Sequence, residues 1–297
     1  MNKVLIEFLK IVSFVFFISS LPAAAQNVDK IMEKVDLNAR GFTDSVASLI
    51  KISTCKFSVQ NKKLKCNEKP QIKLIETISI NLGKQKKDSK SLAFIYEPPS
   101  ERGVGMLMYN YNSTDRDNET WLYLSALGKV KRIVSSNSDS LTEPASIFGS
   151  EFTTEDRESG KLDDYQYKLL GNKTYKGSSV VLIEQLPNKE KALKSRYAKT
   201  VLWVDASRDV VLKAKMFNRE GKEIRRIISG NLDIINNIWI ARTSTILNLQ
   251  TKRLSKMIIS KVKFDIPIKQ DFFSTRALID KAFRQKGLDA IRTLSDQ

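Results

Sequence analysis

The chain has 297 residues, a formal charge of +17 from 50 Lys and Arg against 33 Asp and Glu, and no histidine. The missing histidine excludes Ser-His-Asp and Cys-His catalysis, histidine-ligated zinc, and acid-base chemistry by a side chain that titrates unperturbed near neutrality. The length suffices for one large domain or two ordinary ones with a sizeable core, and charge spread this evenly, without a block of like residues, does not by itself name a partner.

Lys3 and Lys10 lead an apolar run, Ile11 to Leu21, that ends in Pro22-Ala23-Ala24-Ala25 before Gln26. The run is about half of the ~20 residues a membrane-spanning helix needs. Ala23 and Ala25 offer the small side chains a signal peptidase accepts, so a cleavable signal over residues 1–25 is expected, not a retained anchor. The mature chain would begin near Gln26 in the periplasm. No cysteine stands there to take a lipid, which predicts a soluble product and not a lipoprotein. Export also redirects the positive charge, away from nucleic acid and toward peripheral contact with an anionic membrane surface or lipopolysaccharide.

From Val28 to Arg40, Val28, Ile31, Met32 and Val35 recur at three and four positions and Gly41 follows where a helix C-cap belongs, which predicts one amphipathic helix. Period-two alternation then recurs near Asp44–Val59, Ile72–Leu82, Ser89–Glu97, Gly105–Tyr111, Thr120–Leu124 and Tyr165–Leu170. It continues near Val180–Leu186, Thr200–Asp205, Val210–Phe217, Glu223–Ile234, Ile238–Leu249 and Lys256–Phe264. Turn residues punctuate most gaps, most clearly at Pro187-Asn188, Asn218-Arg219-Glu220-Gly221 and Asn236-Asn237. About a dozen strands without regular helices between them predict a meandering antiparallel sheet, and sheets of that size curl or close. The interval Ser135–Gly160, rich in Ser, Thr, Asp and Glu, interrupts the meander and has room for a short helix around Thr154–Glu158. Such an interval is either a lid or binding segment or a plain surface excursion. A second short helix is expected over Ser274–Gln285, with Ser274 as its N-cap. Residues 286–297 are expected as a frayed or loosely helical tail.

Cys55 and Cys66 are the only cysteines, and in an oxidising compartment they most simply form one disulfide. The segment between them centres on Gln60-Asn61, which suits two short strands folding back with the cysteines opposite each other. Paired carboxylates or a Ser-Lys dyad are the enzyme chemistries that survive without histidine. Asp163-Asp164 are adjacent, and on a strand they point to opposite faces. Glu155-Asp156 are no better placed, and a polar turn accounts for them more simply. No G-x-S-x-G elbow or Walker loop is present. The expectation is therefore a protein that is not an enzyme and carries no cofactor and no metal.

The succession KVDLNARG (Lys34–Gly41), SLAFIYEPPSERGVGML (Ser91–Leu107), WLYLSALGKVKRI (Trp121–Ile133), SIFGSEFTTED (Ser146–Asp156), DDYQYKLLG (Asp163–Gly171), VLWVD (Val201–Asp205) and FDIPIKQDFFSTRAL (Phe264–Leu278) resembles the outer membrane lipoprotein-sorting proteins, relatives of the LolA and LolB carriers. The resemblance implies a mainly β fold with an α lid: a strongly curved antiparallel sheet, an unclosed β-barrel, covered by helices, in a single domain over residues 26–285. It also implies a carrier or chaperone that buries lipid or the acyl chains of lipoproteins in an apolar cavity and shuttles them toward the outer membrane. Some family members are associated with transporters of the resistance-nodulation-division (RND) type. The alternative is an accessory or regulatory protein that uses the same fold to bind a membrane transporter or an envelope-stress partner.

Met and aromatic side chains re-pack around flexible chains, so Phe94, Tyr96, Leu107, Tyr109, Trp121, Tyr123 and Met216 are candidate cavity-wall residues, with Met106 and Met108 beside them. Leu107 and Met108 cannot both face inward. Lys129, Lys131 and Arg132 are candidates for meeting a lipid head group or an acidic partner. LolA is known for a basic residue near its lid; Arg116, Arg132 and Arg157 lie near the relevant segments here, and none of them is assignable to that role from the sequence.

Overall fold

The computed structural model describes residues 27–40, 43–61, 63–83, 85–113, 115–133, 145–157 and 161–295. The expected leader at 1–25, its cleavage point, the cap at Gly41 and parts of the long interval (135–144 and 158–160) lie outside the described residues.

Helix α1 (Val28–Arg40) begins where the Asn27 side chain accepts the backbone N–H of Lys30 at 3.1 Å, an N-cap bond. The strands that follow are β1 (Ser45–Gln60), β2 (Lys63–Cys66), β3 (Gln71–Leu82), β4 (Asp88–Glu97), β5 (Gly105–Asn110), β6 (Glu119–Leu124) and β7 (Lys129–Ile133). A short helix α2 (Thr154–Arg157) leads to β8 (Tyr165–Tyr175) and β9 (Ser178–Pro187). Helix α3 (Lys189–Lys194) precedes β10 (Lys199–Asp205), β11 (Val210–Phe217), β12 (Glu223–Ile235), β13 (Ile238–Asn248) and β14 (Arg253–Phe264). Helices α4 (Thr275–Ile279) and α5 (Lys281–Ser295) end the described chain.

All the strands join one antiparallel sheet, in the order β7-β6-β5-β4-β3-β1-β14-β13-β12-β11-β10-β9-β8, with β2 paired to the far end of β1. β3 to β7 and β8 to β14 are two meanders in which neighbours in sequence pair in space, and β1 inserts between β3 and β14 and joins the two halves. The edges β7 and β8 do not pair, so the barrel is unclosed. The sheet nevertheless curls far enough for its ends to meet. Lys194 of α3 reaches Asp117 in the β5–β6 turn at 2.8 Å, and the Lys161 ammonium donates to the Arg116 carbonyl at 2.9 Å.

Period-two alternation assigns the two faces. One face is apolar from β6 to β8 and carries α1 and the segment 145–157; it is the inner face of the curl. On the outer face, a separate cluster covers the β3–β7 half beneath α4 and α5: Ile78, Leu92, Phe94 and Leu107 pack against Phe272, Phe273, Ala277 and Leu278. The fit there is tight. A Cβ on Gly105 would stand 2.6 Å from the Phe94 ring, and one on Gly287 of α5 would overlap the Phe272 ring. Any larger residue at either position must push an aromatic ring out of a packed core.

The Cys55–Cys66 disulfide forms, with a Cα separation of 5.7 Å, and ties β2 to β1. The cysteines are not directly opposite, because Cys66 pairs with Phe57, two residues beyond Cys55. Closing so short a loop stabilises by about 2–3 kcal/mol. Replacing both cysteines by serine should therefore lower the unfolding free energy in urea by that amount, and an unchanged midpoint would show that the hairpin needs no staple.

Two local expectations need correction. Pro187-Asn188 does not form a hairpin turn; the Asn188 side chain accepts the Lys191 backbone N–H at 2.8 Å and starts α3 instead. The single C-terminal helix is broken at Asp280, and Ser274, although at the N-cap position of α4, makes no side-chain cap bond. Asp280 takes that role for α5 by accepting the Phe283 N–H at 2.9 Å. The chain beyond Lys286, expected as a frayed or loosely helical tail, continues α5 to Ser295.

Candidate functional site

The inner face is built from alternate residues of nearly every strand. Ile50 and Ile52 of β1, Ile75 of β3, Ala93 and Ile95 of β4, Met106 of β5, Ile246 of β13 and Met257 of β14 form its centre. Val181, Ile183, Leu202, Val204, Ala214 and Met216 extend it beneath Met32 and Val35 of α1, and Ile227 touches both groups. The result is a continuous apolar surface, buried beneath α1 and the segment 145–157.

The segment 145–157 fills its middle. The Ile147 N–H donates to the Phe152 carbonyl at 2.8 Å and the Thr154 N–H to the Ala145 carbonyl at 3.0 Å, closing a compact loop. This loop drives Phe148 and Phe152, both buried, into the central cluster. Phe148 at φ 52° and Gly149 at φ 71° make the reversal in the left-handed region.

Around these two rings the attachments are polar. Glu151 accepts from Arg253 Nε at 2.8 Å and from Asn248 at 3.0 Å, and its N–H donates to the Ser255 hydroxyl at 2.8 Å. Asp156 accepts from the Thr153 N–H at 2.9 Å, from the Thr153 hydroxyl at 2.8 Å and from the Tyr197 hydroxyl at 2.6 Å. Arg225 of β12 reaches Asp156 at 3.2 Å and also donates to the Glu151 carbonyl. Glu155 accepts from the Ser195 hydroxyl and from Arg196 Nε, the latter at 3.3 Å. Lys73 of β3 donates to the Phe148 carbonyl at 2.8 Å. Burial, with the Asp156 charge next to it, pushes the Tyr197 hydroxyl far above its usual range, so it remains a donor to that carboxylate throughout the physiological range.

Three carboxylates on one short segment thus meet three arginines on the sheet and on the α3–β10 connection. The arrangement can hold a cover in place through groups that water would also solvate, while Phe148, Phe152 and Ile147 seal the apolar strand residues beneath it.

The candidate wall residues divide between the faces. Met216, with Met106 and Met108, lies on the inner face. Phe94, Leu107, Tyr109, Trp121 and Tyr123 lie on the outer face against α4 and α5, where the Tyr109 hydroxyl donates to the Phe273 carbonyl at 2.7 Å. Tyr96 is half-buried and is the extra residue of the bulge where β4 pairs with β3, so the alternation breaks at its position. Lys129 and Lys131 are exposed on edge strand β7, whereas Arg132 is held by Glu119 at 2.7 Å. Arg116 stacks on Tyr111, 3.5 Å from the ring centroid, away from the lid segment.

Sequence reasoning missed Arg196, Arg225 and Arg253. A signal existed for Arg225: two adjacent arginines on a strand, Arg225-Arg226, cannot both face outward, so one must be buried and paired.

A strongly curved, unclosed antiparallel sheet with helix and loop laid in its concavity defines a LolA-like protein. A family model described as uncharacterized-protein-like matches residues 87–280, and the chain belongs to that family, whose fold is that of the LolA-related outer membrane lipoprotein-sorting proteins. A DUF1329 family protein from Desulfovibrio piger is similar at 22% identity and a TM-score of 0.72, over 84% of this chain and 97% of the other. An outer membrane lipoprotein-sorting protein domain from Vibrio parahaemolyticus gives 22% identity and 0.70, over 85% and 100%. A LolA superfamily protein from Nitrosomonas europaea gives 19% and 0.59, over 83% and 97%. No curated protein matches the chain.

Proposed function

We propose that the protein is a non-enzymatic carrier or chaperone of the periplasm that binds the acyl chains of lipid or lipid-modified protein on the inner face, beneath α1 and the 145–157 segment. The observation that carries this reading is the continuous apolar inner surface, covered by a segment whose fastenings are mostly charged and polar. Burial of an acyl chain contributes ~0.8 kcal/mol per CH₂, so displacing Phe148 and Phe152 by one long chain is favourable without covalent chemistry. Met106, Met108 and Met216 line the surface with side chains that adapt to chains of different shape. The fold of the lipoprotein-sorting relatives supports the same role, and no helix among the described residues is long and apolar enough to cross a membrane.

Native mass spectrometry of the exported protein, followed by organic extraction, tests the proposal. A stoichiometric acylated ligand, or saturable uptake of a fluorescent fatty acid, is the expected result. A clean apo mass with no uptake of fatty acid or lipopeptide would overturn it and favour a protein-binding role for the same fold.

A further inference from the structure

The outer face of the sheet is covered in two places and open in a third. Helices α4 and α5 cover the β3–β7 half, and the disulfide hairpin with Cys55 and Phe57 packs against Leu247 and Leu254 near its centre. Over β8–β13 no helix lies on the outer face among the described residues, and there the half-buried rings of Tyr175, Trp203 and Trp239 surround Val180, Val210 and Leu212. Cations stand over these rings: Lys213 lies 4.6 Å from the Trp203 centroid and 5.5 Å from that of Tyr175, and Arg208 lies 5.0 Å from that of Trp239.

The register explains the placement. Lys213 pairs across the sheet with Trp203 on one side and Ile228 on the other, in the middle of the face and not at its rim. Glu223 neutralises the neighbouring Lys215 and Arg226, at 3.0 and 2.6 Å. Lys213, Lys173 and Lys176 have no carboxylate partner among the described residues. Burial, then the charges of Arg226 and Lys215, holds the Lys213 ammonium below the ordinary lysine range. A cation crowded by other cations on an aromatic surface is relieved by an anionic partner.

We propose that this outer face of β8–β13 docks the protein on the surface of an anionic phospholipid bilayer. The complementarity is of two kinds. Trp and Tyr rings with one apolar body and one polar edge settle at the head-group level of a membrane, and lysines near that surface are drawn to phosphate. An acidic protein face would match the lysines but would not call for three half-exposed rings among them. The inference rests on the carrier reading only for its setting, a compartment bounded by lipid; the docking face lies on the opposite side of the sheet from the proposed cargo surface.

The test uses the full mature chain with vesicles of phosphatidylethanolamine and phosphatidylglycerol, against vesicles of phosphatidylcholine alone. Sedimentation should show binding to the anionic vesicles only. Lys173→Glu with Lys213→Glu should weaken it by roughly tenfold or more, while Lys129→Glu with Lys131→Glu leaves it unchanged. In the unmodified protein, lipids brominated on the acyl chain should quench tryptophan emission, and Trp203→Phe should remove much of that quenching. This readout keeps the proposal testable even if the double charge reversal fails to fold. Absence of vesicle binding, loss of binding through Lys129 and Lys131 instead, quenching unaffected by Trp203→Phe, or binding to an acidic protein without vesicle binding would each overturn the proposal. Fatty-acid uptake by the same samples reports separately on the carrier reading: uptake without vesicle binding discards only the docking face, and vesicle binding without uptake discards only the carrier.

Discussion

Arg225→Met is expected to destabilise the closed protein by about 3–5 kcal/mol, because it strands a carboxylate in the interior. The Arg225 side chain is 3% exposed and that of Asp156 0%, so neither charge has water to fall back on. Asp156 would keep its bonds from Thr153 and Tyr197, but these are dipoles and supply no countercharge. The Glu151 carbonyl would lose a donor at the same time. Adding Asp156→Asn to Arg225→Met should recover a large part of the loss, since a neutral pair leaves no uncompensated charge. Urea unfolding of the two single variants and the double variant completes the cycle. A coupling near zero would show that the pair does not fasten the segment. Hydrogen exchange separates two ways of losing the stability: release of the cover accelerates exchange within 145–157 alone, and global destabilisation accelerates it across β1 and β14 as well. In the first case uptake of fatty acid should become faster.

Phe273→Ala carries a comparable cost, about 3–5 kcal/mol, with the opposite functional signature. The ring is 1% exposed and sits between the outer-face residues of β4 and β5 and the last two helices. It meets Phe272 edge to face at a centroid distance of 5.9 Å, and its carbonyl receives the Tyr109 hydroxyl. Truncation leaves a cavity that α4 cannot fill without breaking its contacts to β5, so the urea midpoint should fall sharply. At a temperature where the variant remains folded, fatty-acid uptake should match the parent. If uptake is lost while the fold persists, the acyl chain lies on the outer face, among Phe94, Leu107, Tyr109, Trp121 and Tyr123, and the inner trough is not the cargo site.

That choice of face marks the limit of what alternation alone conveys. The twelve segments of period-two pattern announce their strands because successive side chains point to opposite faces of the sheet. In β5, however, Met106, Leu107, Met108 and Tyr109 are all apolar or aromatic, as both faces of this half of the sheet are covered. Which pair faces the concavity depends on where α4 and α5 dock, and those helices come more than a hundred and fifty residues later in the chain. Helix α3 was hidden for a different reason: six residues are too few for a helical period to show, and its start depends on the one side-chain bond made by Asn188. The fastening of the 145–157 segment was half visible. Glu151, Glu155 and Asp156 stand out as a charged cluster, but their partners come from β12, β14 and the α3–β10 connection, and only the curl of the sheet brings these together.

The seam between the two sheet edges has a consequence for capacity. A closed barrel has a radius set by strand number and shear, so its interior accepts only what that radius allows. Here Lys194–Asp117 and the Lys161 bond to the Arg116 carbonyl bridge the seam through exposed side chains, each worth little and weakened by salt. The sheet is therefore a split sleeve: parting it at the slit would break no ladder of β-strand hydrogen bonds.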